Sequence, residues 1–402
     1  MTPCLLADDL SGALEAGAAF RARGWRVVLT LAGSPPPAAA GELRVITTES
    51  RNLAPDAAAA AVRRALGARP AAAPLWFKKI DSTLRGPIGA ELKALIAELT
   101  PPLVILCPAN PAAGRTVRGG IVRVHGVPLA ETDFRHDPVS PAKESSLLAL
   151  LAAQGVTQTT SITLEDLRGE GLEAMLTKAA GDHGVLICDA ETEGDLTTLV
   201  RVVRTSVPAA LLVGSGALAT ALARELSSPV GAPAVPPLPA IDSLLILCGS
   251  RHPASQQQLD LLAEKEPGSV VSVTPGVDDA TETGERVAAS LRSRRVAAIR
   301  FDGKEPASAE SAARLLTCIG TFARDLLARV APAAIFLTGG ETAWTVCNIL
   351  RGNSLEILAE LEPGVVLARL GCEARQDVLI ITKPGGFGAD TLMSSLVPKN
   401  LR

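Results

Sequence analysis

The feature that most limits the fold of this chain is a series of short apolar runs, separated by longer stretches rich in Ala, Leu and Arg. Most runs are apolar at every position, a pattern typical of parallel strands that helices cover on both faces. The runs occupy 4–7, 27–31, 44–47, 75–80, 103–107, 185–188 and 211–213, and then 244–248, 270–273, 296–301, 335–337 and 378–381. We therefore predict an α/β protein of two doubly wound domains with mainly parallel sheets.

A proline-rich, uncharged segment separates the two series of runs. Residues 227–240 read SSPVGAPAVPPLPA, a composition that excludes a helix or a central strand and is typical of a linker. We predict an N-terminal domain at 1–226, a linker at 227–241 and a C-terminal domain at 242–402.

The composition excludes several classes of protein. The 402 residues carry a net charge of −3 without a Lys/Arg-rich block, which argues against binding of a nucleic-acid backbone. Aromatic residues make up 2%, and no apolar stretch suits a membrane span. The seven cysteines are scattered without a CxxC pair, which favours reduced core thiols over disulfides or a zinc site. We expect a soluble cytoplasmic protein whose partners are small molecules. Its alanine-rich helices could also form the interface of a homo-oligomer.

Charged residues directly follow the predicted strands of the first half. In an open parallel sheet, ligands bind beyond the carboxyl ends of the strands. A carboxylate there can cap a helix, accept a hydroxyl proton or hold Mg²⁺, and arginine suits a bidentate grip on a carboxylate. The candidates are Asp8, Asp9, Arg51, Lys79, Asp81, Arg85 and Arg115. Their number around one edge predicts a site for a small anionic substrate.

Glycine and hydroxyl residues follow the strands of the second half. The sequences GSRH, TGGET and KPGGFG each come after an apolar run, and glycine lets backbone N–H groups approach an anion. No GxxxxGK[ST] sequence is present, so a P-loop is excluded. The candidates for a nucleotide site are Ser250, Gly339, Gly340, Glu341, Thr342, Lys383, Gly385 and Gly386.

One motif favours a different cofactor. Residues 214–219 read GSGALA and match the GxGxxA dinucleotide fingerprint after a strand and before a helix. The fingerprint also requires an acidic residue about 20 positions later, where this chain has the uncharged proline-rich segment. An NAD-dependent oxidoreductase is therefore an alternative hypothesis, and a glycine turn near a nucleotide is the preferred interpretation.

Taken in order along the chain, these motifs resemble the four-carbon acid sugar kinases. The matching sequences are ADDLSGA (7–13), TTESR (47–51), KKIDSTLRGP (78–87), CPANPAAGRT (107–116), VHGVPLAETDFRHDP (124–138), GSGALA (214–219), CGS (248–250), TGGETA (338–343) and KPGGFG (383–388). Two departures are Ser11, where members often have Thr, and Asn110, where they often have an aromatic residue. The KPGGFG ending favours threonate- or erythronate-type members over the 3-oxo-tetronate type.

The resemblance implies a transferase of carbohydrate metabolism that uses ATP and Mg²⁺ to phosphorylate the terminal C4 hydroxyl of threonate, erythronate or 3-oxo-tetronate. It implies an acid-binding N-terminal domain, an ATP-binding C-terminal domain and an active site in the cleft between them. Asp9 or Asp81 would accept the hydroxyl proton, and Arg85 would be a further catalytic residue. The acid would be held by Asp8, Arg51, Lys79 and Arg115. The metal ligand stays open. A non-catalytic, two-lobed binding protein is the second alternative.

Overall fold

The computed structural model describes residues 3–31, 41–67, 75–137, 140–182, 184–226, 238–274, 280–301, 308–372 and 378–398. The chain divides into two compact units, the first comprising Met1–Thr30 and Ser34–Val235 and the second Leu31–Gly33 and Pro236–Arg402. Most of the predicted linker, residues 227–237, lies outside the described residues, so the boundaries at 226 and 242 stay predictions. The predicted cleft between domains also stays a prediction.

The first unit alternates strands and helices. Its strands are β1 (Pro3–Ala7), β2 (Arg26–Thr30), β3 (Glu42–Thr47), β4 (Leu75–Lys79), β5 (Val104–Cys107), β6 (Arg115–Arg118), β7 (Ile121–Val124), β8 (Val127–Pro128), β9 (Thr159–Ile162), β10 (Val185–Cys188) and β11 (Leu211–Gly214). Its helices are α1 (Leu10–Arg21), α2 (Pro55–Gly67), α3 (Ile88–Leu99), α4 (Leu147–Ala153), α5 (Leu164–Arg168), α6 (Leu172–Gly181), α7 (Glu193–Ser206) and α8 (Gly216–Glu225).

Eight strands of the first unit follow the spatial order β2-β3-β1-β4-β11-β5-β10-β9, and every neighbouring pair is parallel. Central strands such as β1 and β5 are buried at every residue, which explains why their sequences are apolar without alternation. Strands β6, β7 and β8 form a separate antiparallel sheet that the apolar runs do not predict.

The second unit has the same alternation with an antiparallel addition. Its strands are β12 (Leu244–Cys248), β13 (Val270–Val273), β14 (Val296–Phe301), β15 (Ala334–Thr338), β16 (Gly352–Glu362), β17 (Val365–Cys372) and β18 (Val378–Lys383). Its helices are α9 (Pro253–Lys265), α10 (Ala280–Arg294), α11 (Ala309–Arg329), α12 (Gly340–Ile349) and α13 (Leu392–Ser395). The spatial order is β13-β14-β12-β15-β18-β17-β16; the first five strands are parallel and the last two pair antiparallel.

The fold prediction of two α/β domains with mainly parallel sheets is confirmed. None of the seven cysteines forms a disulfide, and five of them are buried. Within the described ranges, no helix is both long and apolar enough to cross a membrane.

Candidate active site

The register of the first unit brings its strand ends to one edge. Strands β3, β1 and β4 are neighbours, and Thr47, Ala7 and Lys79 lie side by side at their carboxyl ends. On the other side of β4, the end of β11 and then the end of β5 continue this row. The polar loops that follow these strands therefore meet, as the parallel arrangement requires.

Arg51 joins the two adjacent aspartates that follow β1. Its Nε and Nη2 atoms donate to Asp8 Oδ2 and Oδ1 at 2.8 and 2.9 Å. Its Nη1 and Nη2 atoms donate to Asp9 Oδ2 and Oδ1 at 2.8 and 2.6 Å. Asp9 Oδ1 also accepts from the backbone N–H of Gly12 at 2.9 Å, so Asp9 is the N-cap of α1.

Electrostatics favour the charged forms of Asp8 and Arg51. Burial alone raises the pKa of Asp8, but Arg51, Lys78 and Lys79 together bring the pKa of that carboxyl below its usual value. Burial correspondingly opposes the charge of Arg51, and the carboxylates of Asp8 and Asp9 raise its pKa well above the ordinary range. The two partners stabilise each other's charged form.

A second ion pair follows β4. Arg85 Nε donates to Asp81 Oδ2 at 2.7 Å and its Nη1 donates to Asp137 Oδ2 at 3.1 Å, while Thr83 Oγ1 also donates to Asp81. Burial opposes ionisation of Asp81, but Arg85 and Arg51 lower the pKa of its carboxyl well below the usual value. We call Asp8, Asp9, Arg51, Asp81 and Arg85 the carboxylate–arginine cluster.

Gly86 lets the two halves of the cluster approach each other. Its φ is +99°, and a Cβ atom there would lie 3.0 Å from the carbonyl oxygen of Arg51. A side chain at this position would push the Arg51 loop away from the Arg85 loop.

The two lysines at the end of β4 point in different directions, as the alternation of a strand predicts. Lys78 is buried and its Nζ donates to Glu91 Oε1 of α3 at 2.8 Å; Ser50 donates to the same oxygen. Lys79 is also buried and lies 3.3 Å from Glu15 Oε2 of α1. Both lysines therefore neutralise carboxylates of neighbouring helices.

Arg115 differs from the other two arginines of the edge. Its guanidinium lies over the ring of Phe134, with Cζ 5.5 Å from the ring centroid. Its Nη1 donates to Ser82 Oγ at 2.5 Å. No described residue accepts a hydrogen bond from its buried Nε, and none is paired with it as a salt bridge. Arg115 therefore retains unused donors beside the cluster, on a guanidinium whose plane is fixed by the ring.

The GSGALA turn leaves little room for a pyrophosphate. A Cβ at Gly214 would lie 2.2 Å from the carbonyl oxygen of Cys107, and one at Gly216 would lie 2.3 Å from Glu15 Oε1. Ser215 is buried, accepts from the first turn of α8 and donates to the carbonyl of Ala109. The glycines serve close packing against β5 and a carboxylate, which is unfavourable for a dinucleotide phosphate.

A cavity of about 360 Å³ lies beside the Arg51 loop. Its walls are formed by two segments, residues 51–53 and 140–144, and by Leu84, Gly86, Pro87, Leu150 and Gln154. Of the carboxylate–arginine cluster, only Arg51 contributes to the wall in the described structure. The cavity is therefore adjacent to the cluster rather than centred on it.

The glycine loops of the second unit also meet at one edge. Cys248, Thr338 and Lys383 are register partners at the carboxyl ends of the neighbouring strands β12, β15 and β18. The loops at 249–252, 339–342 and 384–388, which we call the glycine loops, follow these three strand ends. This arrangement brings together all of the predicted nucleotide candidates.

Helix α12 begins directly in the second of these loops. Its N-cap is Gly339, with φ +92° and no side-chain cap. The N–H of Gly339 donates to the carbonyl of Lys383 at 2.9 Å, which ties this loop to the third. Gly340, Glu341 and Thr342 form the first turn of the helix, where the backbone dipole favours an anion.

Lys383 points into the protein rather than toward solvent. It is fully buried, and Nζ donates to Ser255 Oγ, the Gly385 carbonyl and the Phe387 carbonyl at 2.9, 2.9 and 3.0 Å. Burial lowers the pKa of Lys383 to about 8. Gln258 Nε2 similarly donates to the carbonyl of Gly388 at 3.1 Å.

These inward carbonyls determine which way the loop's N–H groups point. The C=O and N–H of one planar trans peptide point in opposite directions. Because the carbonyls of Gly385 and Phe387 face Lys383, the N–H groups of Gly386 and Gly388 face away from it. Lys383 therefore shapes a loop of outward N–H groups, an arrangement that suits an anion.

Ser250 and His252 limit what can replace the glycines. A Cβ at Gly385 would lie 2.3 Å from Ser250 Oγ, and one at Gly386 would lie 3.0 Å from His252 Nε2. Ser250 Oγ accepts from the N–H of His252 at 3.2 Å. The first and third glycine loops are thus packed without space for a methyl group.

The sequence does not predict five residues of the first site as functional candidates. They are Glu15, Glu49, Ser50, Glu91 and Asp137. Glu91 lies inside the apolar helix α3, where a lone buried acid signals a buried cation. Glu49 is part of the TTESR motif, but its left-handed backbone and the burial of its carboxyl are visible only in the structure.

In the described part of the chain, no three His, Cys, Asp or Glu side chains are gathered as a metal ion would require. Mg²⁺ commonly keeps several waters and binds through substrate phosphates and one or two carboxylates. We therefore name no protein ligand for this metal.

Comparison with known proteins agrees with the two units. Residues 4–222 match the family described as sugar-binding N-terminal domain, and residues 245–393 match the family described as nucleotide-binding C-terminal domain. A D-threonate kinase of Salmonella typhimurium is 32% identical over 98% of this chain and 97% of its own length. The chain belongs to the four-carbon acid sugar kinase family. It is therefore a kinase.

Other members of the family are similar over the same extent. A D-erythronate kinase of Heliobacterium modesticaldum is 29% identical over 96% of this chain and 93% of its own length. A 3-oxo-tetronate kinase of Brucella melitensis is 26% identical over 96% of this chain and 93% of its own length. A crystal structure of a Haemophilus influenzae protein shares the fold, with a TM-score of 0.74, 22% identity and coverage of 98% of both chains.

Proposed function

We propose that this kinase transfers the γ-phosphoryl group of ATP to the terminal C4 hydroxyl of a four-carbon sugar acid, with threonate as the first candidate. The observation that carries the proposal is the full-length similarity to kinases named for such acids. Three relatives that are each named D-threonate kinase are 31–34% identical to this chain. Because the transfer requires both substrates to meet, the active site between the domains remains part of the proposal.

Arg115 is proposed to hold the carboxylate of the acid. The guanidinium of Arg51 is used by Asp8 and Asp9, and that of Arg85 by Asp81 and Asp137. Arg115 has donors left over and is held flat by an aromatic ring, which suits bidentate binding of a carboxylate. Arg51, Arg85 and Lys79 would then supply positive potential around the acid.

Asp9 is proposed as the acceptor of the hydroxyl proton. Its side chain is 17% exposed, against 2% for Asp8 and 9% for Asp81. A carboxylate offers about four lone-pair positions, and Asp9 uses three of them for Arg51 and Gly12. Phosphoryl transfer requires positioning and charge stabilisation more than a strong base, so an aspartate held at a fixed position is suitable.

The glycine loops are proposed to bind the phosphates of ATP. The candidates are Ser250, Gly339, Gly340, Glu341, Thr342, Gly385 and Gly386, with Lys383 acting through the loop that it shapes. Mg²⁺ is proposed to enter with the nucleotide, where it would neutralise phosphate charge. A cytoplasmic location and a homo-oligomer also stay proposals.

An ADP-release assay tests the proposal. ATP and Mg²⁺ are supplied with threonate, erythronate, 3-oxo-tetronate, a 2-oxo acid or 4-hydroxythreonine in turn, and the site of phosphorylation is read by NMR. Threonate or erythronate is expected to give the highest kcat/KM. Absence of ADP release with every acid would contradict the proposal.

Asp9→Asn separates a kinase from a binding protein. Asn is as good an N-cap as Asp, so the fold should be retained while the proton acceptor is lost. Turnover is expected to fall by at least about a hundredfold. A variant that turns over normally would show that Asp9 is not the acceptor, and binding of NAD in a parallel titration would favour the oxidoreductase alternative.

A further inference from the structure

Glu49 has a strained backbone in the loop that follows β3. Its φ is +47°, in the left-handed region that favours glycine. Both neighbours are fixed to the chain after β1: the N–H of Thr48 donates to the Ala7 carbonyl and that of Ser50 to the Asp8 carbonyl, each at 2.9 Å. Glycine would satisfy this turn without strain, so the geometry favours a role for the glutamate side chain.

The side chain of Glu49 is held at one oxygen and open at the other. Thr47 Oγ1 donates to its Oε1 at 2.5 Å. Among the described residues, none donates a hydrogen bond to Oε2, and none forms a salt bridge with this carboxyl. In contrast, Asp8, Asp9 and Asp81 are each paired with an arginine.

The environment of Glu49 favours its neutral form. Burial, helped by the charges of Asp9 and Asp8, raises the pKa of this carboxyl to about 8, although the hydrogen bond from Thr47 and the charge of Arg51 oppose the rise. Because Thr47 donates to Oε1, the proton of the neutral acid belongs on Oε2. Oε2 is then a hydrogen-bond donor that adds no negative charge to a site for an anionic acid.

We propose that Oε2 of Glu49 binds a secondary hydroxyl group of the acceptor acid and makes that hydroxyl a requirement for tight binding. This inference rests on the proposed function and deepens it. An ionised carboxylate at this position would repel an anionic acid, whereas the neutral acid both donates to a hydroxyl oxygen and accepts from a hydroxyl hydrogen. Glu49 is thus a specificity-determining residue, separate from the proton acceptor.

A comparison of acids with and without the secondary hydroxyls tests the inference. KM is measured for threonate and for its 2-deoxy and 3-deoxy analogues, with the wild type, Glu49→Ala, Glu49→Gly and Glu49→Gln. In the wild type, one deoxy acid should have a KM about tenfold above that of threonate. In the Ala and Gly variants, the KM for threonate should rise about tenfold while that of the same deoxy acid changes little.

The pH dependence gives a second readout. Above about pH 8 the Glu49 carboxyl loses its proton, so the wild-type KM for threonate should rise. Asp8 and Asp81, whose pKa values are lowered, stay ionised throughout this range. Glu49→Gln keeps a donor and an acceptor but cannot ionise; its KM should be about threefold higher at pH 7 and flat from pH 7 to 9.

The outcomes separate the two proposals. If the wild type turns over threonate but Glu49→Ala and Glu49→Gly discriminate against the deoxy acids as the wild type does, the Glu49 assignment is wrong and the kinase proposal stands. If the wild type turns over none of the acids, both are wrong. Thermal unfolding identifies a variant that fails to fold. If Glu49→Ala does not fold, Glu49→Gly, which removes the backbone strain, provides the same test.

Discussion

The strand-end loops of the two units use charge in opposite ways. In the first unit, carboxylates and arginines themselves form the edge, and the side chains of the carboxylate–arginine cluster balance one another's charge. In the second unit, the principal cation, Lys383, lies beneath the loop and acts on backbone carbonyls. The difference matches the ligands proposed for them: a small acid needs directed side-chain contacts, whereas phosphates can be bound by backbone N–H groups.

The largest effect is expected from Arg51→Gln. The substitution leaves the carboxylates of Asp8 and Asp9 side by side without their cation, which should cost about 3–5 kcal/mol of unfolding free energy and nearly all activity. Without Arg51, burial dominates and the pKa of Asp8 should rise above its usual value. The loss of stability should therefore be greater at pH 8 than at pH 5, as denaturant titrations at both values can measure.

Arg118→Gln is the matched control for Arg51→Gln. Arg118 is 64% exposed and lies 3.5 Å from Glu191 in the same unit. Its loss should cost less than about 1 kcal/mol. Equal losses for the two variants would contradict the view that the first site depends on paired, buried charges.

A smaller effect is expected from Lys383→Met. Removing the buried donor takes one hydrogen bond from each of the Gly385 and Phe387 carbonyls, which keep only those from Ser255 and Gln258. The loss should cost about 1–3 kcal/mol and weaken nucleotide binding. Because burial lowers the pKa of Lys383 from 10.5 to about 8, the unfolded chain binds more protons between these values. Wild-type stability should therefore gain a contribution as pH rises from about 8 to about 10.5, and the variant should lack it.

Lys265→Met tests whether this result is specific. Lys265 is an exposed lysine of the same unit, and its Nζ donates to Ser394 Oγ at 3.2 Å. Its replacement should change the unfolding free energy by no more than about 0.5 kcal/mol. If Lys383→Met bound nucleotide as tightly as this control, the proposed link between the lysine and the loop would fail.

The smallest effect is expected from Gly385→Ala. The added methyl group would displace Ser250 and the chain at His252, so the Kd for ATP should rise about tenfold, or about 1.4 kcal/mol. Affinity for the acid should not change. Gly284→Ala, on α10 of the same unit, meets open space and should leave ATP binding intact while stabilising the helix by about 0.5–1 kcal/mol.

Isothermal titration with ATP and with threonate distinguishes these results. Equal losses of ATP affinity for Gly385→Ala and Gly284→Ala would mean that close packing of the loop is unimportant. A loss of threonate affinity in Gly385→Ala would contradict the assignment of acid binding to the first unit's edge alone.

The apolar runs predict the parallel strands well because such strands are buried on both faces. Every predicted run matches an observed strand to within two residues at each end. The antiparallel pair of β16 and β17 is not among the predicted runs. Buried and half-buried residues alternate along part of β16, so its sequence is not continuously apolar, whereas the first four residues of β17 are all buried. In the sequence, this hairpin could have been recognised from the Pro363-Gly364 turn between the two strands. Gly364 has a φ of +75°.

By itself, the sequence determines the fold class, the set of strand ends that carry polar residues, and the division between charged and glycine-rich loops. It does so because burial and turn chemistry leave local patterns. The ion-pair partners of Arg51, the inward direction of Lys383 and the left-handed backbone of Glu49 depend on residues far apart in the chain. Only the tertiary structure decides these, because direction and desolvation arise when the strands come together.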